Sequence, residues 1–277
     1  MKQYREIPYN YTSFSDKESV CRFLGSEAWE LLNQLRQDRN TGRSSRMLFE
    51  VLGDMWVVDR NPYLQEDLIK NKRRWQALID ALYSRLDLIR NRADGNQKVL
   101  ELLVQADAAV AKFKQHLSDF KHRKKYIQQV LLKVTHSNNI RFDALSRASH
   151  STDATDWRVQ YPQVVITPDT ELEVAAIVKA CIELGLTIVP RGGGTGYTGG
   201  AIPLHAQTAV INTEKLNTIG KINTNAGMHS VTVGAGVVTK RVSELATKNN
   251  LVFAVDPTSQ DACTIGGNVA MNAGGKK

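Results

Sequence analysis

The spacing of apolar positions divides the chain into a helical first part and a second part in which short strands alternate with helices. Ser15 and Glu18 have the spacing of a helix capping box. Three stretches then carry apolar residues every three or four positions, which predicts amphipathic helices. These positions are Val20, Phe23, Leu24, Leu31, Leu32 and Leu35; Leu64, Leu68, Trp75, Leu78, Leu82, Leu86 and Ile89; and Val99, Leu102, Ala106, Val110, Phe113, Leu117, Phe120, Ile127, Val130, Leu131 and Val134.

The second and third of these stretches predict two helices of about 30 and 35 residues, each about 45 to 55 Å long. The turn formers Asp94, Gly95 and Asn96 separate them. Because this connection is short, we expect the two helices to pack antiparallel as a long helical hairpin. No cluster of residue types suited to catalysis lies on either helix.

Apolar runs become shorter in the second part and are separated by glycine, proline and small polar residues. A strand is predicted over 164 to 166, followed by a helix that Asp169 or Thr170 caps and that ends at Gly185. A buried strand is predicted over 187 to 189, ending at Pro190 because proline cannot donate to a central β-ladder. Segments 208 to 212 and 229 to 234 predict further strands, and 238 to 249 predicts a helix.

Composition places a domain boundary between the two parts. Residues 1 to 150 hold 26 Lys and Arg against 18 Asp and Glu, whereas residues 151 to 277 hold 10 of each, so the whole net charge of +8 belongs to the first part. Only four of the 19 glycines precede residue 150. The polar stretch from 147 to 157 is the expected link between a helical N-terminal region, 1–150, and a second domain, 151–277.

Several classes of protein are disfavoured by the sequence. It contains no run of eighteen apolar residues and no apolar signal core, which predicts a cytoplasmic protein without a transmembrane segment; peripheral association with the inner face of the membrane is the alternative. Cys21, Cys181 and Cys263 lack ligand spacing, so neither a disulfide framework nor a metal site is expected. The basic run from 121 to 126 is expected to be a solvated helix face rather than a nucleic-acid site, with docking of an acidic partner as the alternative.

The chemistry is concentrated in residues 187 to 203, TIVPRGGGTGYTGGAIP. Six of the nine positions from 192 to 200 are glycine, so the backbone can adopt positive φ and bring its N–H groups close to a ligand. Successive N–H groups directed into one concavity form an anion nest. A diphosphate is the expected occupant of such a nest.

Two familiar phosphate-binding motifs do not fit this segment. Gly194, Gly196 and Gly199 have the spacing GxGxxG, but a Rossmann fingerprint needs a helix that opens directly after the loop, and none is predicted before Pro203. The Walker A motif is excluded because no Lys-Ser or Lys-Thr follows the glycines. Taken alone, the glycine loop is a weak indication of a ligand site.

A second stretch rich in glycine and small residues, DPTSQDACTIGGNVAMNAGG, spans residues 256 to 275. Together with the sequence PRGGGTG at 190 to 196, it resembles the FAD-binding domain of the vanillyl-alcohol oxidase superfamily, also known from p-cresol methylhydroxylase (PCMH). Within that superfamily these two motifs are similar to those of glycolate oxidase subunits and of D-lactate and D-2-hydroxyglutarate dehydrogenases. The resemblance covers residues 157 to 277.

This resemblance implies an α+β fold, with a two-subdomain, PCMH-type FAD-binding domain that is incomplete at its C-terminus. It implies that the first stretch wraps the FAD pyrophosphate, with the backbone amides of 191 to 196 and two threonine hydroxyls as donors; the cofactor-binding residues would be Pro190, Arg191, Gly192, Gly193, Gly194, Thr195, Gly196, Thr198 and Gly199. The second stretch would line the ribityl chain and the flavin ring, at Pro257, Thr258, Ser259, Thr264, Gly266, Gly267, Asn268, Asn272 and Gly274, although Asn272 is an equally good turn former. Thr195 occupies the position of the histidine that attaches FAD in many members, so non-covalent FAD is expected.

The activity implied by the resemblance is oxidation of a small D-2-hydroxyacid, with electrons passing through FAD to a quinone, a cytochrome or an iron–sulfur module. The sequence ends at AGGKK inside this domain, and the downstream His and Glu residues of the family have no counterpart. No catalytic or metal-binding residue is therefore assigned, and the chain is expected to be an inactive N-terminal fragment or the product of a truncated gene. The alternatives are a non-catalytic helical adaptor with a remnant flavin domain and a cell-wall precursor reductase of the same fold.

Overall fold

The computed structural model describes residues 15–37, 41–155, 157–225 and 227–275. The chain forms two compact units that divide between Lys125 and Tyr126, inside its longest helix. The boundary predicted from composition, after residue 150, lies further along the chain. Among the helices that the structure describes, none is both long enough and apolar enough to cross a lipid bilayer.

The helices of the first unit follow one another with short connections. They are α1 (Asp16–Phe23), α2 (Ser26–Gln37), α3 (Gly42–Asp59), α4 (Pro62–Lys70), α5 (Lys72–Arg92) and α6 (Gln97–Leu131), the last of which continues into the second unit. The predicted capping box is confirmed: the Glu18 amide donates to the Ser15 hydroxyl at 3.3 Å, and the Ser15 amide donates to the Glu18 carboxylate at 2.9 Å.

Helix α3 lies at the centre of the first unit, and the periodicity analysis did not predict it. It contacts α1, α2, α4 and α5. Ten of its 18 residues are buried, including Leu48, Leu52 and Met55. Its apolar positions recur at helical spacing and the exposed Arg46 and Glu50 lie on another face, so the sequence does hold an amphipathic pattern here that was not among the predicted stretches.

The predicted long hairpin is present, but its first arm is two helices rather than one. Asn71 ends α4 and caps α5, with extended backbone and a side-chain oxygen that accepts from the Arg74 amide at 3.2 Å. The Asn71 side chain competes for backbone hydrogen bonds and so interrupts the helix, although the apolar spacing continues through this position. Helix α6 has the predicted 35 residues. The Trp75 and Phe113 rings, 5.9 Å apart, join α5 and α6.

The second unit is built on a mixed four-stranded sheet. In chain order its elements are β1 (Ile140–Arg141), α7 (Ala144–Ser149), β2 (Val164–Ile166), α8 (Glu171–Glu183), β3 (Thr187–Arg191), β4 (Thr208–Asn212), β5 (Asn223–Asn225), β6 (Met228–Ser230), α9 (Thr239–Lys248) and α10 (Ile265–Ala270). The sheet order is β1-β2-β4-β3, in which β2, β4 and β3 are parallel and β1 is antiparallel. Strands β5 and β6 form a separate antiparallel pair. The predicted α+β architecture is confirmed.

The core of this unit lies on the central strands. Every residue of β2 and β4 is buried. Apolar side chains from α8 and from the last turns of α6 cover them, among them Ile177, Cys181, Ile127 and Leu131. Buried parallel strands are typical of sheets that helices cover, which explains their uninterrupted apolar runs.

Two predicted strands differ from the structure. Strand β3 continues through Pro190 to Arg191, because β3 pairs only with β4 among the described strands and proline is tolerated at a sheet edge. The strand predicted over 229 to 234 is shorter: β6 ends at Ser230, and Val233 forms only an isolated bridge with Ile219. Elsewhere β2, α8, β4 and α9 occupy their predicted positions.

A polar cluster beside the sheet joins the segment before β1, the start of α8 and the loop after β4. The Asn139 side chain is fully buried and donates to Asp169 at 2.8 Å and to Thr135 at 2.9 Å. Lys215 donates to Asp169 at 2.8 Å, and Thr135 donates to Glu173 at 2.6 Å. The hydrogen bonds from Lys215 and then Asn139 hold the pKa of the Asp169 carboxyl below its usual value.

Truncating the centre of α3 should destabilise the first unit strongly. Leu52 is fully buried, so Leu52→Ala removes packed methyl groups and is expected to cost about 3 kcal/mol of unfolding free energy. The matched control is Leu88→Ala on α5, where the side chain is 45% exposed and the loss should be much smaller. Urea unfolding followed by far-UV circular dichroism measures both. Equal losses would contradict the central position of α3.

The polar cluster should make stability depend on acid. Since the folded-state pKa of Asp169 is lowered, the carboxylate contributes stability above its unfolded pKa of about 4, and this contribution is lost as the pH falls through the folded value. Asp169→Asn should therefore lower the thermal unfolding midpoint at pH 7, and the difference from the parent should shrink below about pH 4. Glu183→Gln, at the exposed opposite end of α8, is the control. A difference that does not change with pH would refute this assignment.

Candidate functional site

The first glycine segment, residues 190–200, begins where β3 ends. Strands β2, β4 and β3 are parallel, so their carboxyl ends lie along one edge of the sheet. Ligands of open α/β sheets bind outside this edge. The chain then runs without a helix to β4, as expected for a loop that is not a Rossmann fingerprint.

The backbone amides of this loop have no partners within the described chain. None of the ten residues from 192 to 201 donates a backbone hydrogen bond to another described residue. The hydroxyls of Thr195 and Thr198 likewise have no hydrogen-bond partner among the described residues. Most backbone N–H groups of a folded protein have partners, so ten successive N–H groups without a partner among the described residues are available to bind a ligand.

Two glycines give the loop its shape. Gly194 has φ +67° and Gly199 has φ +70°, in the left-handed region that residues with a side chain rarely adopt. A side chain at Gly199 would also press against the indole of Trp157, at 3.2 Å. Gly196, in contrast, would meet no atom within 4 Å. The loop is therefore curved at two points and open between them.

The second glycine segment, residues 256–275, lies directly against the first. A Cβ added at Gly192 would come closer than 3.0 Å to the Thr264 hydroxyl, and one at Gly193 closer than 3.0 Å to the Ala262 carbonyl oxygen. A Cβ at Gly200 would lie 3.9 Å from the sulfur of Met271. The structure therefore brings the two predicted segments together. Glycine is required at 193 because the backbone of Ala262 packs there, and at 192 because the Thr264 side chain packs there.

Unlike the first segment, the second uses most of its amides internally. Its centre is the short helix α10, which Thr264 caps by accepting from the Gly267 amide at 3.3 Å. Gly266 lies in this helix against Ala235, whose Cβ and carbonyl oxygen leave no space for a side chain. Asn272 has φ +49°, the conformation of its alternative interpretation as a turn former. The turn at 257 to 263 closes through bonds from the amides of 260, 262 and 263 to the carbonyls of 257 and 259.

The Asn268 side chain faces into the protein. It is 8% exposed, and its amide donates to the Thr239 hydroxyl at 2.6 Å. Thr239, the first residue of α9, in turn donates its backbone N–H to the Cys263 carbonyl at 3.0 Å. Sequence reasoning did not identify Thr239, because nothing in its local pattern reveals a contact with a residue 29 positions away.

Exposed apolar side chains stand beside the loop. Met271, whose sulfur lies near Gly200 of the first segment, is 46% exposed, and Val269 in α10 is 78% exposed. Tyr197, within the first segment, is 82% exposed. Such side chains provide apolar area that a flat ring system could cover.

The Arg191 side chain anchors both ends of the loop. Its Nη1 donates to the Thr152 carbonyl at 2.7 Å and to the Ala201 carbonyl at 3.2 Å. The Arg191 carbonyl accepts from the Thr213 amide at 2.9 Å. Burial lowers the pKa of the guanidinium, and the negative charge of Asp153 partly offsets this effect. Sequence reasoning assigned Arg191 only a backbone role.

A half-buried histidine supports the same edge of the sheet. His150 Nε2 accepts from the Asn212 amide at 3.0 Å, while Nδ1 lies 2.8 Å from the Ser146 carbonyl, which fixes the neutral tautomer with its proton on Nδ1. Burial lowers the pKa of His150, and the nearby Arg191 charge lowers it further, against the Ser146 hydrogen bond. The position of Asn212 at the carboxyl end of β4, opposite Arg191, is the signal that could have revealed this support.

The described residues contain no group of three or more His, Cys, Asp and Glu side chains arranged to hold a metal ion. A cavity of about 620 Å³ lies within the first unit, lined by residues that include Arg36, Arg85 and Phe49. Two of its three arginines, Arg36 and Arg85, pair with Asp16 and Asp54. Because most of its charged side chains already have partners, the glycine segments are the stronger candidate site.

In comparisons with known proteins, the two parts of the chain match two different families. Residues 2–115 match a family described as a protein of unknown function (DUF3683). Residues 162–277 match a family described as FAD binding domain.

The curated relatives agree with the second match. The glycolate oxidase subunit GlcD of Escherichia coli K12 is 37% identical over 119 residues, covering 41% of this chain and 22% of the relative. A D-lactate dehydrogenase of Archaeoglobus fulgidus is 38% identical over 112 residues, covering 40% and 24%. A D-2-hydroxyglutarate dehydrogenase of Xanthomonas citri pathovar viticola is 35% identical over 123 residues, covering 43% and 25%.

Residues 162–277 therefore belong to the PCMH-type FAD-binding domain family, and FAD is the cofactor of this domain. Within the FAD-binding oxidoreductases, the predicted resemblance to glycolate oxidase subunits and to D-lactate and D-2-hydroxyglutarate dehydrogenases is confirmed. The chain spans only about a quarter of the length of these relatives.

The backbone contact between the two glycine segments should be intolerant of a side chain. Gly193→Ala places a Cβ against the Ala262 carbonyl and is expected to destabilise the second unit by about 1 to 3 kcal/mol. Gly196→Ala, whose Cβ would meet nothing within 4 Å, is the matched control and should leave stability nearly unchanged. Thermal unfolding of both variants measures the difference. Similar midpoints for the two variants would contradict the contact.

Proposed function

We propose that the first glycine segment, Pro190 to Gly199 as predicted from sequence, binds the pyrophosphate of FAD through the backbone amides that follow Pro190, which has no N–H of its own. The observation that carries this proposal is the run of ten residues, 192 to 201, whose amides have no partner among the described residues. Amides held in a curved loop form a nest that suits an anion. The positive φ angles of Gly194 and Gly199 provide that curvature.

The second glycine segment is proposed to support the flavin end of the cofactor. Its amides are largely engaged in α10 and the preceding turn, so it offers a rigid surface rather than anion donors. Met271 exposes apolar area beside Gly200, and Val269 in the same segment is exposed as well; a flavin ring would remove such area from water. A Cβ at Gly274 would meet no atom within 4 Å, so that position is open too. Thr195 has no chemistry for flavin attachment, so the binding is proposed to be non-covalent.

The activity we propose for the whole protein is oxidation of a small D-2-hydroxyacid. When bound, FAD supplies the capacity to accept two electrons and to pass them to an acceptor such as a quinone, a cytochrome or an iron–sulfur module. The residues described here would hold and orient the dinucleotide, and none of them is assigned to proton transfer from the substrate. The similarity to three dehydrogenases and oxidases of this substrate type supports the proposal.

Flavin uptake tests the assignment of the loop directly. The purified chain incubated with FAD and then desalted should retain a flavin absorption band. Gly194→Val should abolish retention, because a branched side chain at φ +67° strains the loop by about 1 to 3 kcal/mol and collides with the Arg191 guanidinium.

The matched control for this experiment is Gly185→Val. Gly185 also has positive φ, +65°, with open space around it, but it ends α8 outside the loop. This variant should be strained to a similar degree and still retain FAD. Equal retention by both variants would contradict the loop assignment, and a colourless parent protein that co-purifies with a partner would favour the helical adaptor instead.

A further inference from the structure

The guanidinium of Arg191 lies beneath the centre of the first glycine segment. It occupies the space into which a side chain at position 194 would project: a Cβ there would lie 2.7 Å from Cζ and 3.2 Å from Nε. Gly194 is therefore required for two reasons, its left-handed backbone and the room that it leaves for this cation.

Only one side of the guanidinium is used within the described chain. Nη1 donates to the carbonyls of Thr152 and Ala201, whereas Nη2 and Nε make no hydrogen bond to a described residue. The edge formed by Nε and Nη2 is the two-donor fork that binds phosphate and carboxylate oxygens in other proteins.

The positive charge of Arg191 is not paired within the described residues. Its two acceptors are carbonyl oxygens, which satisfy hydrogen bonds without cancelling a charge. The nearest negative influence is Asp153, which forms no ion pair with it and instead accepts from the amide and hydroxyl of Thr155, at 2.9 and 2.5 Å. A half-buried cation under a run of unused amides strengthens an anion site, because the low local dielectric increases its attraction.

We infer that the Arg191 side chain is the positioning residue and counter-charge of the diphosphate that the loop binds. This inference rests on the proposed function. Nη1 connects Arg191, at the start of the loop, with Ala201 at its end and with Thr152 outside it. The charge on the free Nε and Nη2 edge compensates the charge of the bound diphosphate. The sequence motif alone implied only that the backbone of Arg191 takes part.

Two substitutions separate charge from hydrogen bonding. Arg191→Lys keeps the charge but loses the planar fork, and Arg191→Gln keeps an N–H donor but loses the charge. If the charge matters, FAD affinity should fall only about 3- to 10-fold in the Lys variant and about 10- to 100-fold in the Gln variant, as expected for a charge-assisted hydrogen bond. Equilibrium dialysis of the full 277-residue chain with FAD measures both constants.

Lys248→Gln is the control, because it removes one positive charge from the exposed end of α9 and should leave FAD affinity unchanged. Thermal unfolding without FAD establishes that each variant is folded. Should the Gln variant fail to fold, the salt dependence of FAD binding to the parent chain tests the role of the Arg191 charge. The affinity should fall at least about 3-fold between 50 and 500 mM KCl, since added salt screens the charge.

The outcomes are distinguishable. A parent chain that takes up no FAD overturns the proposed function and this inference together. A Gln variant that binds as tightly as the parent, Lys and Gln variants that are equally weakened, or an affinity that does not respond to salt would overturn the role of the Arg191 charge and leave the loop assignment standing.

Discussion

Close backbone contact between the two glycine segments is the constraint on which the site depends. The Ala262 carbonyl stands where a side chain at Gly193 would be, so the two segments can approach this closely only because Gly193 has no Cβ. The second segment is in turn fixed to α9, since the Thr239 amide donates to the Cys263 carbonyl and the Thr239 hydroxyl accepts from the Asn268 side chain. An open loop is thereby placed against a rigid support.

The two segments look alike in sequence but differ in what their backbones do. Most amides of the second segment donate hydrogen bonds within α10 and the turn before it, whereas those from 192 to 201 have no partner in the described chain. A loop without internal hydrogen bonds has little resistance to rearrangement of its own. Its shape is held from outside, by β3 at its start and by the Arg191 side chain, which joins Thr152 to Ala201.

Local signals in the sequence predicted elements whose determinants are local. The capping box at Ser15, the helices α8 and α9 and the buried strands β2 and β4 follow from spacing, caps and β-branched runs. Helix α3 also carries apolar residues at helical spacing, with Arg46 and Glu50 exposed, and was nevertheless not among the predicted helices. The continuation of β3 through Pro190 depends on its place at the sheet edge, which follows from strand order and not from any local pattern. For the same reason the glycines of the site could be predicted, but the contact of Arg191 with Thr152, 39 positions away, could not.

The segment between the two family matches, residues 116 to 161, is structural rather than a passive linker. Ile127 and Leu131, from the last turns of α6, are buried in the core of the second unit together with Ile140 and Phe142. Asn139 is fully buried and bonds to Asp169, just before α8. The physical unit that carries the glycine segments thus begins inside α6, well before the region that resembles FAD-binding domains begins. A domain excised at residue 162 would lack apolar side chains that cover β2 and β4, so the sheet that positions the loop would lose part of its core.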